Sequence, residues 1–243
     1  MKNYVVWTNC QVNEKEHQFG IAPCGDPISR AAYDTMFRVS RSSAKKFLAG
    51  DWEEIVFTDP AETRVHMFQQ NWQRILDLWH REPCNILYLD SDAMFVKPTE
   101  IFGRFNEYRL FNWTDPKSNT QFPNYYNAGV RYYPNTMSSS VWKIGKDIAN
   151  NWNLDIWDQE QLIFNAMFWS QGVLDPHHPE LNWQGMHLRL SQTYSDAISY
   201  LNNWNTIPIT DAHIIHVHGS RNAIDTAKCM KDISQELGII DIY

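Results

Sequence analysis

The feature that most constrains this chain is Ile86-Leu87-Tyr88-Leu89, an apolar run without alternation that ends directly in Asp90-Ser91-Asp92. A short continuous run of this kind suits a strand covered on both faces, and such strands belong to largely parallel sheets flanked by helices. In open α/β sheets ligands bind beyond the carboxyl ends of the strands. An acidic turn placed there is therefore a candidate site.

The flanking sequence supports the same architecture. Tyr4–Thr8 and Glu54–Thr58 are β-rich apolar runs with polar ends. Val65, Phe68, Trp72, Ile75, Leu76 and Trp79 then recur at helical spacing, and Glu82-Pro83 stops the helix. Asp59 is placed to cap that helix, with Pro60 at its first position and Glu62 completing a capping box. Strand, helix, strand implies a right-handed crossover. Further strands are expected at Tyr108–Trp113, Gly129–Tyr133 and His213–Val217, with a polar loop over Asp115–Tyr126. Helices are expected over Ser138–Trp152, Asp158–Trp169 and Asn222–Leu237.

At 243 residues one domain suffices. The net charge of −7 argues against nucleic acid or an anionic membrane as partner, since those need clustered Lys and Arg. An anionic ligand would have to be met with a cation. No stretch approaches the roughly 20 apolar residues of a membrane span, and Met1–Trp7 lacks the length of a signal peptide's apolar region. A soluble, cytoplasmic protein is the expectation. Cys10, Cys24, Cys84 and Cys229 have neither metal-cage nor disulfide-framework spacing and read as reduced, mostly buried thiols.

Two carboxylates two residues apart on a turn can converge on one hard divalent cation, and that cation can bridge the phosphates of a nucleoside diphosphate. The plain alternative has Asp90 capping a turn and Asp92 solvated. Thr8 and Asn9, at the end of the first strand, are placed to hydrogen-bond a base or ribose in the sheet's crevice. Asp59, at the end of the second, is placed similarly, although capping explains it equally well.

The string Leu87-Tyr88-Leu89-Asp90-Ser91-Asp92 resembles the D-x-D segment of GT-A glycosyltransferases. Asn127-Ala128-Gly129-Val130, Asp158-Gln159-Glu160 and His216-Val217-His218-Gly219 resemble later motifs of the same enzymes, in the same order. The nearest pattern is that of glycosyltransferase family 8, which includes glycogenin. In place of that family's usual Lys after the late Gly, this chain has Asn222 preceded by Arg221.

The resemblance implies an α/β fold, a single GT-A (Rossmann-like) domain over 1–243 with a mostly parallel central sheet. Residues 1–112 would mainly bind the nucleotide-sugar, and 113–243 would supply the acceptor side and a late metal ligand. It implies transfer of a sugar from a nucleoside-diphosphate sugar, UDP being the commonest nucleotide, to a hydroxyl of a glycan, protein or small molecule, with retention of configuration. Asp90, Asp92 and His216 would hold the metal, with His218 as a substitute ligand. Asp90 and Ser91 would also meet the donor. A mixed imidazole and carboxylate set suits Mn2+ better than Mg2+.

Arg221 would contact the diphosphate, since a guanidinium forks onto phosphate oxygens, unless it is an ordinary solvated charge. Asp158 and Gln159 would face the reacting carbon, though Asp158 is also a good N-cap with Gln161 three residues on. Asn127 would contact a sugar hydroxyl or else satisfy a turn. Trp113, Tyr125 and Tyr126 form an acceptor platform or pack in the core. Two rival readings carry the same motif or the same aromatics. One is a haloacid-dehalogenase-type phosphatase, which expects Thr or Val where Met94 stands. The other is a sugar-binding module without catalysis, which has no need of a diphosphate metal site.

Overall fold

The computed structural model describes residues 1–13, 27–103, 109–113, 125–136, 147, 150, 187–190, 213–217 and 223–239. Eight strands and three long helices lie within them: β1 (Lys2–Thr8), α1 (Pro27–Phe47), β2 (Glu53–Phe57), α2 (Arg64–Arg81), β3 (Cys84–Leu89), β4 (Ala93–Phe95), β5 (Arg109–Trp113), β6 (Tyr125–Tyr133), β7 (His187–Leu190), β8 (Ile214–Val217) and α3 (Ala223–Glu236). Five strands form one sheet in the order β2-β1-β3-β6-β5, and three form a second in the order β4-β8-β7.

β1 pairs in parallel with both β2 and β3, so the carboxyl ends of these strands lie side by side. β6 runs antiparallel to both its neighbours, β3 and β5. The mixed α/β architecture with a mostly parallel sheet is the one expected from the unbroken run of β3, all six residues of which are buried. Val5, Trp7, Leu87, Leu89, Val130 and Tyr132 line one face of this sheet and share a core with Ala44, Phe95 and Ile214. The short sheet is covered on both sides. Ala93, Phe95 and Ile214 join that core, whereas Met94, Ile215 and Val217 pack with Met36, Val39, Met230 and Ile233 in a second. Alternation along β4 and β8 thus locks both strands between two apolar layers.

Two expectations are corrected, and two elements lie beyond them. α2 begins four residues later than the Asp59 capping box predicts. Its N-cap is Thr63, whose Oγ1 accepts the His66 N–H at 3.1 Å. A backbone bridge holds the preceding segment extended instead, for Ala61 donates to the Gln11 carbonyl and accepts from Asn13, both at 2.9 Å. Asp59 is exposed and paired with Arg74. β6 extends back to Tyr125, so Tyr125 and Tyr126 belong to a strand rather than to the expected loop. α1 and β7 were not anticipated. Of the segment expected to be helical over 138–152, Asp147 and Asn150 are helical; the remainder, with the whole of 158–169, lies outside the described residues.

Thr63→Ala is expected to lower stability by about 1 kcal/mol in urea unfolding, whereas Asp59→Ala, which removes an exposed ion pair, should change it by less than about 1 kcal/mol.

Cys10, Cys84 and Cys229 are buried, as expected. Burial pushes the Cys84 thiol from its ordinary 9.0 up to about 11, and the Tyr132 phenol from 10.0 up to about 12. Both groups stay neutral in the fold at pH values where the unfolded chain ionises. Their contribution to stability is complete below pH 9 and is lost as the pH rises through 11 for Cys84 and 12 for Tyr132. The urea midpoint should therefore fall above pH 9, with a shallower fall between 9 and 11 in Cys84→Ala. An identical profile for that variant would contradict the assignment. Among the described residues no helix is long and apolar enough to cross a membrane.

Candidate metal and donor site

The site is built by backbone geometry before any side chain is considered. Where β3 runs out, the Asp90 N–H donates to the Gly129 carbonyl at 2.8 Å, tying the turn to β6. The Asp90 carbonyl accepts the Ala93 N–H at 3.1 Å, which closes Asp90-Ser91-Asp92 into a tight turn leading to β4. The Asp92 carbonyl accepts the Val217 N–H at 2.9 Å, and Ala93 stands opposite His216 in the β4–β8 ladder. A residue 124 positions further along the chain is thereby held against the turn.

Asp90, Asp92 and His216 converge, with one ligand atom from each lying within 4.8 Å of the others. His216 Nε2 is 3.1 Å from Asp92 Oδ1, with the imidazole 1% exposed and the carboxylate 25% exposed. Two carboxylates and a largely buried imidazole nitrogen form an N/O donor set of the kind divalent transition ions take. The carboxylates, partly open to solvent, leave a side from which a ligand can approach.

The end of β1 adjoins this turn. Ser91 Oγ donates to the Thr8 carbonyl at 3.2 Å, and Thr8 Oγ1 lies 3.1 Å from the Tyr88 hydroxyl. Asn9 donates its backbone N–H to Phe57 at 2.9 Å and its side-chain amide to Asp34 Oδ1 at 3.2 Å. Arg30 donates to the same Asp34 oxygen at 2.8 Å and to the Asn9 carbonyl at 3.4 Å. Arg30 and Asp34 thus stand beside the β1 end although nothing in the sequence reading pointed to them.

Thr8 and Ser91 meet at the Asp90–Asp92 turn, and Asn9 follows Thr8 beside Asp34 and Arg30. Asp59 sits at the end of β2, turned to Arg74, whose guanidinium lies 5.3 Å from the Phe57 ring centre. Asn127 lies in β6 opposite Phe111, two residues before Gly129. Trp113 pairs with Tyr125, and Asn112 with Tyr126, across the β5–β6 ladder. Asp158, Gln159, His218 and Arg221 lie outside the described residues.

No family model and no curated protein matches the sequence. Among solved structures, a glycosyltransferase involved in the glycosylation of the major capsid of PBCV-1 superposes with a TM-score of 0.54 at 16% identity, covering 95% of this chain and 100% of that one. The chain has a GT-A-like glycosyltransferase fold. The glycosyltransferase GlyE of Streptococcus pneumoniae superposes with a TM-score of 0.49 at 13% identity, over 90% of this chain and 55% of that one. The galactosyltransferase LgtC, in complex with donor and acceptor sugar analogs, does so with a TM-score of 0.47 at 12% identity, over 99% and 97%. Within the glycosyltransferase fold of this chain, the Asp-Asp-His group occupies the place where general α/β geometry puts a ligand, beyond the carboxyl end of a central strand.

Proposed function

We propose that this chain is a divalent-metal-dependent glycosyltransferase that moves a sugar from a nucleoside-diphosphate sugar, a UDP-sugar first among them, to a hydroxyl acceptor with retention of configuration. The observation that carries the reading is the convergence of Asp90, Asp92 and His216 within 4.8 Å at the end of β3. Residues 1–112 mainly serve the nucleotide-sugar, and 113–243 the acceptor side and the late ligand.

Asp90 and Asp92 hold the ion through their carboxylates and His216 through neutral Nε2; Mn2+ fits this mixed donor set better than Mg2+. When bound, the ion supplies positive charge against the leaving diphosphate. Thr8 and Asn9 orient the nucleoside at the β1 end, and Arg221 adds a forked contact to the phosphates. The motif resemblance alone assigns Asp158 and Gln159 to the reacting carbon and Asn127 to a sugar hydroxyl. As the bond from the anomeric carbon to the diphosphate breaks, the diphosphate departs with the bonding pair. The acceptor oxygen then bonds to that carbon on the face the diphosphate leaves, which keeps the configuration, and its proton passes to the departing diphosphate.

The test is release of nucleoside diphosphate from UDP-, GDP- and CDP-sugars, with hexoses and simple glycosides as acceptors. The reading predicts release from one donor class that requires Mn2+ and stops with EDTA. Absence of release from every donor, or release indifferent to EDTA, would overturn it.

A further inference from the structure

Gly129 lies where the pairing of β6 with β5 jumps from Arg131 to Asn127, an irregularity a glycine suits, but a second contact makes a stronger demand on it. Its neighbour Val130 keeps register with Leu89 of β3, and Gly129 is not among the positive-φ glycines Gly50, Gly103 and Gly238. Its φ lies outside the left-handed region that favours glycine. What glycine provides is room. A Cβ placed at position 129 would lie 2.1 Å from Cε1 of His216 and 2.8 Å from both Nδ1 and Nε2. The imidazole therefore lies directly across the Gly129 backbone, an approach that only a residue without a side chain permits.

The backbone of His216 has little freedom to retreat from such a collision. β8 is the middle strand of its sheet, with Ala93 of β4 opposite His216 on one side and Arg189 of β7 on the other. The ring would have to swing instead, and its present position is what brings Nε2 to 3.1 Å from Asp92 Oδ1. The Gly129 carbonyl also accepts the Asp90 N–H at 2.8 Å. One residue thus supports two of the three converging groups, Asp90 through a hydrogen bond and His216 through close packing.

We propose that Gly129 is a positioning residue: its missing side chain seats the His216 imidazole beside Asp92, so that the third metal ligand is in place before the ion arrives. The inference rests on the metal reading above, and its test separates the two. Gly129→Ala, His216→Ala and the double variant are compared with the parent chain by urea unfolding in EDTA and by calorimetric titration with Mn2+.

Without metal, Gly129→Ala is expected to lower the urea midpoint in the parent, but to have a much smaller effect once His216→Ala has removed the ring. Such non-additivity is the signature of direct contact. Mn2+ affinity should fall about 10- to 100-fold in Gly129→Ala, and should not change further when Gly129→Ala is added to His216→Ala. A merely structural glycine would lower stability equally in both backgrounds and leave Mn2+ affinity unchanged; either result overturns the proposal. If Gly129→Ala alone does not fold, rescue by His216→Ala supports the seat and absence of rescue overturns it. Failure of the parent chain to bind Mn2+ would sink the metal reading, and the stability cycle in EDTA would still decide whether Gly129 seats the ring.

Discussion

Asp92→Ala is expected to remove metal-dependent nucleotide binding while leaving the chain folded. The variant keeps the backbone carbonyl that accepts the Val217 N–H, so the β4–β8 connection survives. It loses the carboxylate that stands 3.1 Å from His216 Nε2 and within 4.8 Å of the Asp90 ligand atom. Outer partners of metal ligands are worth about 10- to 100-fold in affinity, and a direct carboxylate ligand should be worth more. Some stability should go too, because the truncation takes a partner from a buried imidazole nitrogen, at about 1–3 kcal/mol. Asp92→Asn separates the two effects. Its amide oxygen can still accept from the imidazole, so stability should recover, but without the charge Mn2+ affinity should not. Calorimetry with Mn2+ beside urea unfolding checks both. Retention of Mn2+ binding in Asp92→Ala would remove this residue from the site.

The second large effect is on stability. Trp7 is fully buried one residue before the end of β1, with its ring edge-on to Phe37 at 6.3 Å and beside Trp52 at 6.4 Å. Its Nε1 donates to Ser40 Oγ of α1 at 2.9 Å. Trp7→Ala empties a site that joins the larger sheet to α1, and Trp→Ala changes in cores cost about 3–5 kcal/mol. Against a total of about 5–15 kcal/mol for an ordinary domain, that is a large share. Trp7→Phe keeps most of the volume but leaves a buried hydroxyl without its donor, at about 1–3 kcal/mol. Urea unfolding should therefore order the chains as parent, Trp7→Phe, Trp7→Ala. Equal stability of Trp7→Ala and the parent would mean that this core does not hold the sheet to α1.

The same contact explains what could and could not be read from the sequence. β3 and its acidic turn were legible because burial on both faces leaves a continuous apolar run, and an abrupt change to Asp marks its end. α1 was not, because much of its buried surface is small or polar: Ser40, Ser43 and Ala44 are fully buried, with Ser43 accepting the Phe95 N–H at 2.9 Å. Its apolar stripe, Ala32, Met36 and Val39, is interrupted by these buried serines. Arg30 and Asp34 beside Asn9 were missed with it. The Asp59 capping box was a sound local signal defeated by a non-local one, the bridge between Val12 and Ala61. The strand bearing His216 was legible, but its neighbour β7 spans only His187–Leu190 and carries too few residues for a period to be read. The close approach of His216 to Gly129 lies beyond any local reading, since it joins residues of different sheets.

The central claim is that Asp90, Asp92 and His216 hold a divalent ion that engages a nucleoside diphosphate. Its most direct test is calorimetric titration of the protein with UDP, GDP and CDP, each in Mn2+ and in EDTA. One nucleotide, UDP first among them, is expected to bind in Mn2+ and to lose that binding in EDTA. Binding of none of the three, or binding of equal strength with and without the metal, would contradict it.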